Sequence, residues 1–350
     1  ANAIAQGDGG DVIVWADEAT SFTGEIQVRG GLLGGDGGFV EVSGKENLRF
    51  SGKVDRTAAN GKNGTLLLDP KGITIVRAAT GDNDDELVDA QILFNDGLDQ
   101  EFRISDAAIS EALASGDVKL QALEYINTEI TPEILSIIAP DEESLSSLIL
   151  ETGGSVTLSN VEIDLGSGDL IVVAGIEDLN GDGSIPKSVS MENSFVATHG
   201  SIHLYSGGVA DILLTEIGKN SAGQQIRNAR DINIHAMSSV LFAQKSDITV
   251  LGDLNISAGR DLSPIDIGLP SDGSYIVPKL SLDALAVNYV ASFLGEGSIT
   301  IGGNINISAI NEHAQLTSGG ATLYGVDVIS EKSNSINLTT SDRIKIWSST

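Results

Sequence analysis

The chain has 350 residues, no cysteine, 41 glycines and a formal net charge of -29 with only 20 Lys and Arg. That balance argues against nucleic acid as a partner, because a phosphate-binding surface needs clustered Lys or Arg to displace counterions. Missing cysteine excludes disulfides, thiol catalysis and cysteine-held zinc.

Aromatics are only 4% of the chain and Ile, Leu and Val supply most of the apolar surface, so the core is expected to be thin and aliphatic. The acidity suits a self-repelling surface in a saline exterior and makes divalent cations fitting partners. The opening ANAIAQGDGG has neither a basic start nor an apolar segment, so the chain does not read as an unprocessed precursor. Apolar runs such as residues 170–176 are far shorter than the ~20 residues of a membrane span.

Along the chain, apolar-polar-apolar triplets recur, the period-two signature of short strands with one buried face. Ile26-Gln27-Val28, Val40-Glu41-Val42, Leu48-Arg49-Phe50 and Ile73-Thr74-Ile75 come first. Val156-Thr157-Leu158, Ile202-His203-Leu204, Ile232-Asn233-Ile234 and Leu254-Asn255-Ile256 follow, then Ile305-Asn306-Ile307 and Ile336-Asn337-Leu338. Gly, Ser, Asp or Asn border nearly all of them. In residues 246–259 and 297–309 two triplets sit too close for a crossover between neighbouring parallel strands, which takes a dozen residues or more. A corner within one coil needs no crossover: the next coil then stacks at about 4.8 Å with apolar residues inside. The irregular repeat of roughly 20 to 30 residues lies in the solenoid range. The pattern therefore predicts an all-β right-handed parallel β-helix, with a globular β-sandwich as the alternative.

Two regions break the rhythm. Residues 105–116, SDAAISEALASG, carry a serine placed as N-cap, apolar residues at helical spacing and a glycine stop, which predicts a short helix. Residues 280–295, LSLDALAVNYVASFLG, fit a helical face but also alternate, leaving helix and strand both open. The expected organisation is one elongated domain: coils over 1–80, an irregular insertion with the helix packed on the solenoid over 81–150, and further coils over 151–350.

Residues 9–26 (GGDVIVWADEATSFTGEI), 34–55 (GGDGGFVEVSGKENLRFSGKVD), 63–75 (NGTLLLDPKGITI) and 104–122 (ISDAAISEALASGDVKLQA) resemble filamentous haemagglutinin-type exoproteins of bacterial two-partner secretion. The later ARDINIHA and GDLNISAGRDL match in repeat style. The resemblance implies a secreted, extracellular β-helix at the bacterial cell surface, engaged in adhesion or aggregation through ligands on host or neighbouring cells. The family's amino-terminal secretion domain carries Asn-Pro motifs, and no Asn-Pro pair occurs here. The chain thus reads as the region downstream of that domain, with the outer-membrane transporter as a partner only through the missing upstream part.

Asp178, Asn180, Asp182 and Gly183 match the opening of a calcium loop, with oxygen ligands on alternate residues and a glycine for the turn. Val189 stands where the closing glutamate belongs, with Glu177 or Glu192 as substitutes; a plain acidic turn is the competing reading. The denser run 81–86, GDNDDE, lacks ligand spacing and reads as a solvated loop. His199, His203, His235 and His313 are too dispersed for zinc, and His203, between Ile202 and Leu204, reads as a surface imidazole. No nucleophile elbow, His-Glu-x-x-His or phosphate loop occurs. Asn63, Asn255, Asn306 and Asn337 open Asn-x-Ser/Thr sequons. The resemblance makes them candidate glycosylation sites.

Strand VIVWA opens the chain and IKIWS nearly closes it, so Trp15 and Trp347 are expected near any head-to-tail junction between copies. The sequence as a whole reads as a structural or adhesive solenoid without enzymatic chemistry. A carbohydrate-active β-helix enzyme, such as a polysaccharide lyase or hydrolase with carboxylates aligned along a groove, is the alternative.

Overall fold

A computed structural model of the chain describes residues 1–44, 47–50, 53–69, 72–77, 102–176, 187–243, 246–259, 266–270, 274–277, 289–301, 304–309, 319–330, 336–340 and 343–347. Parallel strands stack coil upon coil into three walls, an all-β parallel β-solenoid. The first wall is an eleven-stranded parallel sheet that begins at Val12–Ala16 and ends at Ile336–Thr340. Its register is set by the apolar triplets. Val12 pairs with Val40, Val40 with Leu66, Leu66 with Val118 and Val118 with Leu148, and the column continues through Leu170, Ile202, Ile232, Leu254 and Ile305 to Ile336. A slip by one residue would turn this whole column outward, so the aliphatic core itself fixes the stacking.

The second wall runs through Gly72–Val76, Tyr125–Thr128, Ser155–Ser159, Val189–Glu192, Ala210–Leu213 and Val240–Ala243. The third runs through Leu135–Ile138, Val161–Asp164, Phe195–Ala197, Glu216–Ile217 and Asp247–Val250. Both meet in Tyr289–Ile301, a strand that passes straight through the corner with an irregularity between Leu294 and Gly297. Strand therefore prevails over helix from Tyr289 onward in the ambiguous stretch; residues 280–288 lie outside the described residues. Phe39–Gly44 and Asn47–Phe50 belong to different sheets, and Ser43 and Gly44 are still in strand, in register with Trp15 and Ala16.

The predicted helix is Asp106–Leu113, with Ser105 as N-cap accepting from the Ala108 amide at 3.0 Å. It takes the third-wall place in its coil and sends Ile109 and Leu113 into the common core. Its polar side chains close the first strand edge of that wall: the Ser136 amide donates to Asp106 Oδ2 at 2.9 Å, and the Ile138 amide to Ser110 Oγ at 2.9 Å. On the other side Arg56, fully buried, donates to the carbonyls of Gly64, Ala112, Gly116 and Asp117 at 2.7 to 3.0 Å. Within residues 81–150, Val118–Ala122 and Tyr125–Thr128 pair with coils on both sides, and Leu135–Ile138 pairs with Val161–Asp164.

At the corner between the second and third walls, Asn160, Asn193 and Leu214 all adopt left-handed backbone, with φ of 52, 47 and 48. Asn tolerates that conformation and a γ-branched side chain does not. Asn193 Nδ2 also donates to Asn160 Oδ1 at 2.6 Å. Leu214 continues this column while 39% exposed. Leu214→Asn is expected to stabilise the fold by about 1 kcal/mol, read as a higher urea midpoint at unchanged slope. A lower midpoint would show that Leu214 packing outweighs its backbone strain.

Candidate functional site

The outward face of the first wall differs from rung to rung. Side chains alternate sides along each strand, so the residues one and three places after each member of the Val12-to-Ile336 column form two outward columns. On the later rungs one column is Asn233, Asn255 and Asn306, in register with Asn337. Asn255 Nδ2 donates to Asn233 Oδ1 at 2.9 Å and Asn306 Nδ2 to Asn255 Oδ1 at 2.7 Å, a ladder parallel to the stacking axis. In the neighbouring column Ser257 follows the buried His235 and is in register with Ser308 and Thr339. Asn233, Asn255, Asn306 and Ser257 present uncharged hydrogen-bonding groups on a strongly acidic chain.

On the middle rungs four of the same positions are apolar, Ile149, Ile171, Val173 and Tyr205, beside Glu151 and His203. The four are buried because an antiparallel hairpin, Asp266–Gly268 with Ser274–Ile276, folds back over them. Ile267, Tyr275 and Val277 from the hairpin segment pack there with Ile176 and Met237. The hairpin arises in the long coil between Leu254 and Ile305. A signal for this cover was present in the sequence. Leu170–Ala174 reads LIVVA, and a strand apolar on both faces requires burial on both.

Under the hairpin lies a polar group of three wall residues and one cover residue. Glu151 is 0% exposed although it points outward from the wall. The Tyr275 hydroxyl donates to Glu151 Oε1, Gln121 Nε2 donates to Oε2 at 2.6 Å, and Lys119 Nζ lies 2.9 Å from the same Oε2. Lys119 Nζ also stands over the Tyr275 ring, 5.8 Å from its centroid. Burial, reinforced by the Glu151 charge, pushes the Tyr275 hydroxyl far above the ordinary phenol range, so it stays a donor. Single-residue reasoning missed this group, because Lys119, Glu151 and Tyr275 are brought together only by coil register and the returning hairpin.

His203 is a correction. It does point outward, but it is 7% exposed, and its ring approaches the Tyr205 hydroxyl and the Asn233 amide. Burial, with Arg230 nearby, lowers it to about 4, so it is neutral at neutral pH.

Carboxylates also align at the corner before the first wall, as a polysaccharide-cleaving groove would require, but one oxygen of each accepts from a backbone amide of the next rung, while Asp169 Oδ2 is buried without a hydrogen-bond partner. Asp117 accepts from the Ser147 amide at 2.8 Å, Asp169 from Ser201 at 2.6 Å, Asp231 from Asp253 at 2.8 Å and Asp253 from Asn304 at 2.7 Å. Each caps the following rung. Asp117 and Asp169 are buried, and burial raises Asp169 to about 6.

The calcium candidates Asp178, Asn180 and Asp182, and the acidic run 81–86, lie outside the described residues. Among the described residues no group of three His, Asp or Glu side chains is placed to hold a metal ion. Of the sequons, Asn63 is exposed, with its Oδ1 accepting from the Ala58 amide at 3.0 Å, whereas Asn255 and Asn306 are held in the ladder. Trp15 is 55% exposed on the edge strand of the first wall beside Ile13. Trp347 lies in Arg343–Trp347, in register with Tyr324 and through it with Leu294 and Ala243 of the second wall. The two tryptophans are thus on different walls.

No protein-family model matches the chain, and no curated protein matches it.

Proposed function

We infer that this chain is a structural or adhesive β-solenoid of the bacterial cell surface, acting through repeated weak contacts rather than through chemistry. The observation that carries the reading is the in-register row Asn233, Asn255 and Asn306, which repeats one hydrogen-bonded amide on three successive rungs. Equal spacing suits multivalent contact, where many weak bonds add up to high avidity. The capping role of Asp117, Asp169, Asp231 and Asp253 leaves fewer carboxylates for a cleavage site and favours this reading over the enzymatic one. The resemblance of residues 9–122 to two-partner secretion exoproteins supports export through an outer-membrane transporter that engages an upstream domain. Head-to-tail stacking with the walls aligned would set Trp15 against the first wall of the neighbour, not against its Trp347.

Beads coated with the protein are expected to retain and cluster bacterial or host cells, and beads carrying an Asn233, Asn255 and Asn306 triple serine variant to retain fewer. Release of unsaturated or reducing sugar ends from acidic polysaccharides, with no cell retention, would overturn the reading in favour of the enzyme.

A further inference from the structure

We propose that Lys119 and Gln121 join through an intramolecular isopeptide bond, Lys119 Nζ to Gln121 Cδ, with Glu151 carrying the protons. Residues two apart on a strand project from the same face about 6.8 Å apart, within reach of a lysine side chain. Here both side chains converge on one atom: Glu151 Oε2 lies 2.9 Å from the nucleophile, Lys119 Nζ, and 2.6 Å from the leaving nitrogen, Gln121 Nε2. The carboxyl group is fixed from its other side by the Tyr275 hydroxyl and has no exposure to solvent. Ile149, Val173 and the hairpin supply the apolar cover. An ordinary surface ion pair needs none of this.

The chemistry balances without any added reagent. A proton passes from the Lys119 ammonium to Glu151 Oε2 and leaves a neutral amine. The amine lone pair attacks Gln121 Cδ. Glu151 returns its proton to Nε2 as the Cδ–Nε2 bond breaks, then takes the surplus proton from Nζ. Ammonia leaves past the partly exposed lysine stem and picks up that proton, so that an ammonium and a carboxamide become a secondary amide and free ammonium. Holding nucleophile, acid and amide in contact replaces an improbable three-body encounter.

Intact-mass measurement of the purified full chain tests this. The expected mass is one ammonia below the sequence mass, with trypsin failing to cut after Lys119 and tandem spectra giving no break between residues 119 and 121. Lys119→Arg keeps the charge beside Glu151 and should restore the full mass with an unchanged circular dichroism spectrum; Glu151→Gln should do the same if it folds. A wild-type chain of full mass that trypsin cuts after Lys119 would overturn the proposal. So would an ammonia deficit that maps to a succinimide at an Asn-Gly step such as Asn63-Gly64.

Discussion

Replacing Arg56 by methionine is expected to lower stability by about 3 kcal/mol or more. Methionine fills much of the same space but returns nothing to the four carbonyls of Gly64, Ala112, Gly116 and Asp117 that the guanidinium now satisfies. Ala112 is in the last turn of the helix, where its carbonyl also accepts from the Ser115 amide at 3.0 Å, and Gly116 and Asp117 follow the helix directly. Burial lowers Arg56 only to about 10, with Asp117 and Asp55 opposing the drop, so it remains charged at neutral pH and its hydrogen bonds are the strong kind. Urea unfolding would give the loss, and hydrogen exchange should show amides of residues 106–117 opening first. Arg56→Lys should recover little, since an ammonium lacks the planar fork that reaches several carbonyls at once. An unchanged midpoint in the methionine variant would mean that the helix is held by Ile109 and Leu113 alone.

Between about pH 4 and 6, two buried groups are expected to make opposing contributions to stability, with Asp211, also raised by burial, adding to the first of them. Asp169 is raised from its ordinary 3.8 to about 6 by burial, so the folded state holds a proton that the unfolded chain has released. Its contribution therefore falls as pH rises across that window, by up to about 3 kcal/mol. His203 is lowered from 6.5 to about 4, so there the unfolded chain binds the extra proton, and stability rises with pH by a similar amount up to about 6.5. Asp169→Asn should leave a curve that climbs from pH 4 to 6.5. His203→Asn should leave one that descends from pH 4 to 6, and its asparagine would extend the ladder upward from Asn233. Denaturant midpoints measured at half-unit pH steps decide it; parallel curves for parent and both variants would refute the pairing.

The walls were legible in the sequence because each depends on local alternation, and Ser105 announced the helix through capping, which is also local. What sequence could not supply was register. Nothing at Arg56 points to a helix end more than fifty positions away, and Glu151 looks like any outward carboxylate until rung and hairpin are superposed. His203 misled for the same reason: alternation places it outward correctly, but whether an outward residue meets water depends on what returns to cover it. The aspartates before the first wall were visible as acidity, while their capping role required the next rung.

The hairpin that covers Ile149, Ile171, Val173 and Tyr205 carries a consequence for the order of folding. A chain made from its N-terminus completes the rungs from Leu148–Thr152 to Ile202–Ser206 well before Asp266–Ile276 exists. Through that interval an oily strip stands bare on a finished sheet, the kind of surface that draws in other chains or a chaperone. Covering the strip is then a long-range closure, slower than the nearest-neighbour stacking that builds the coils. Chains cut short before residue 266 should accordingly fold their coils and aggregate.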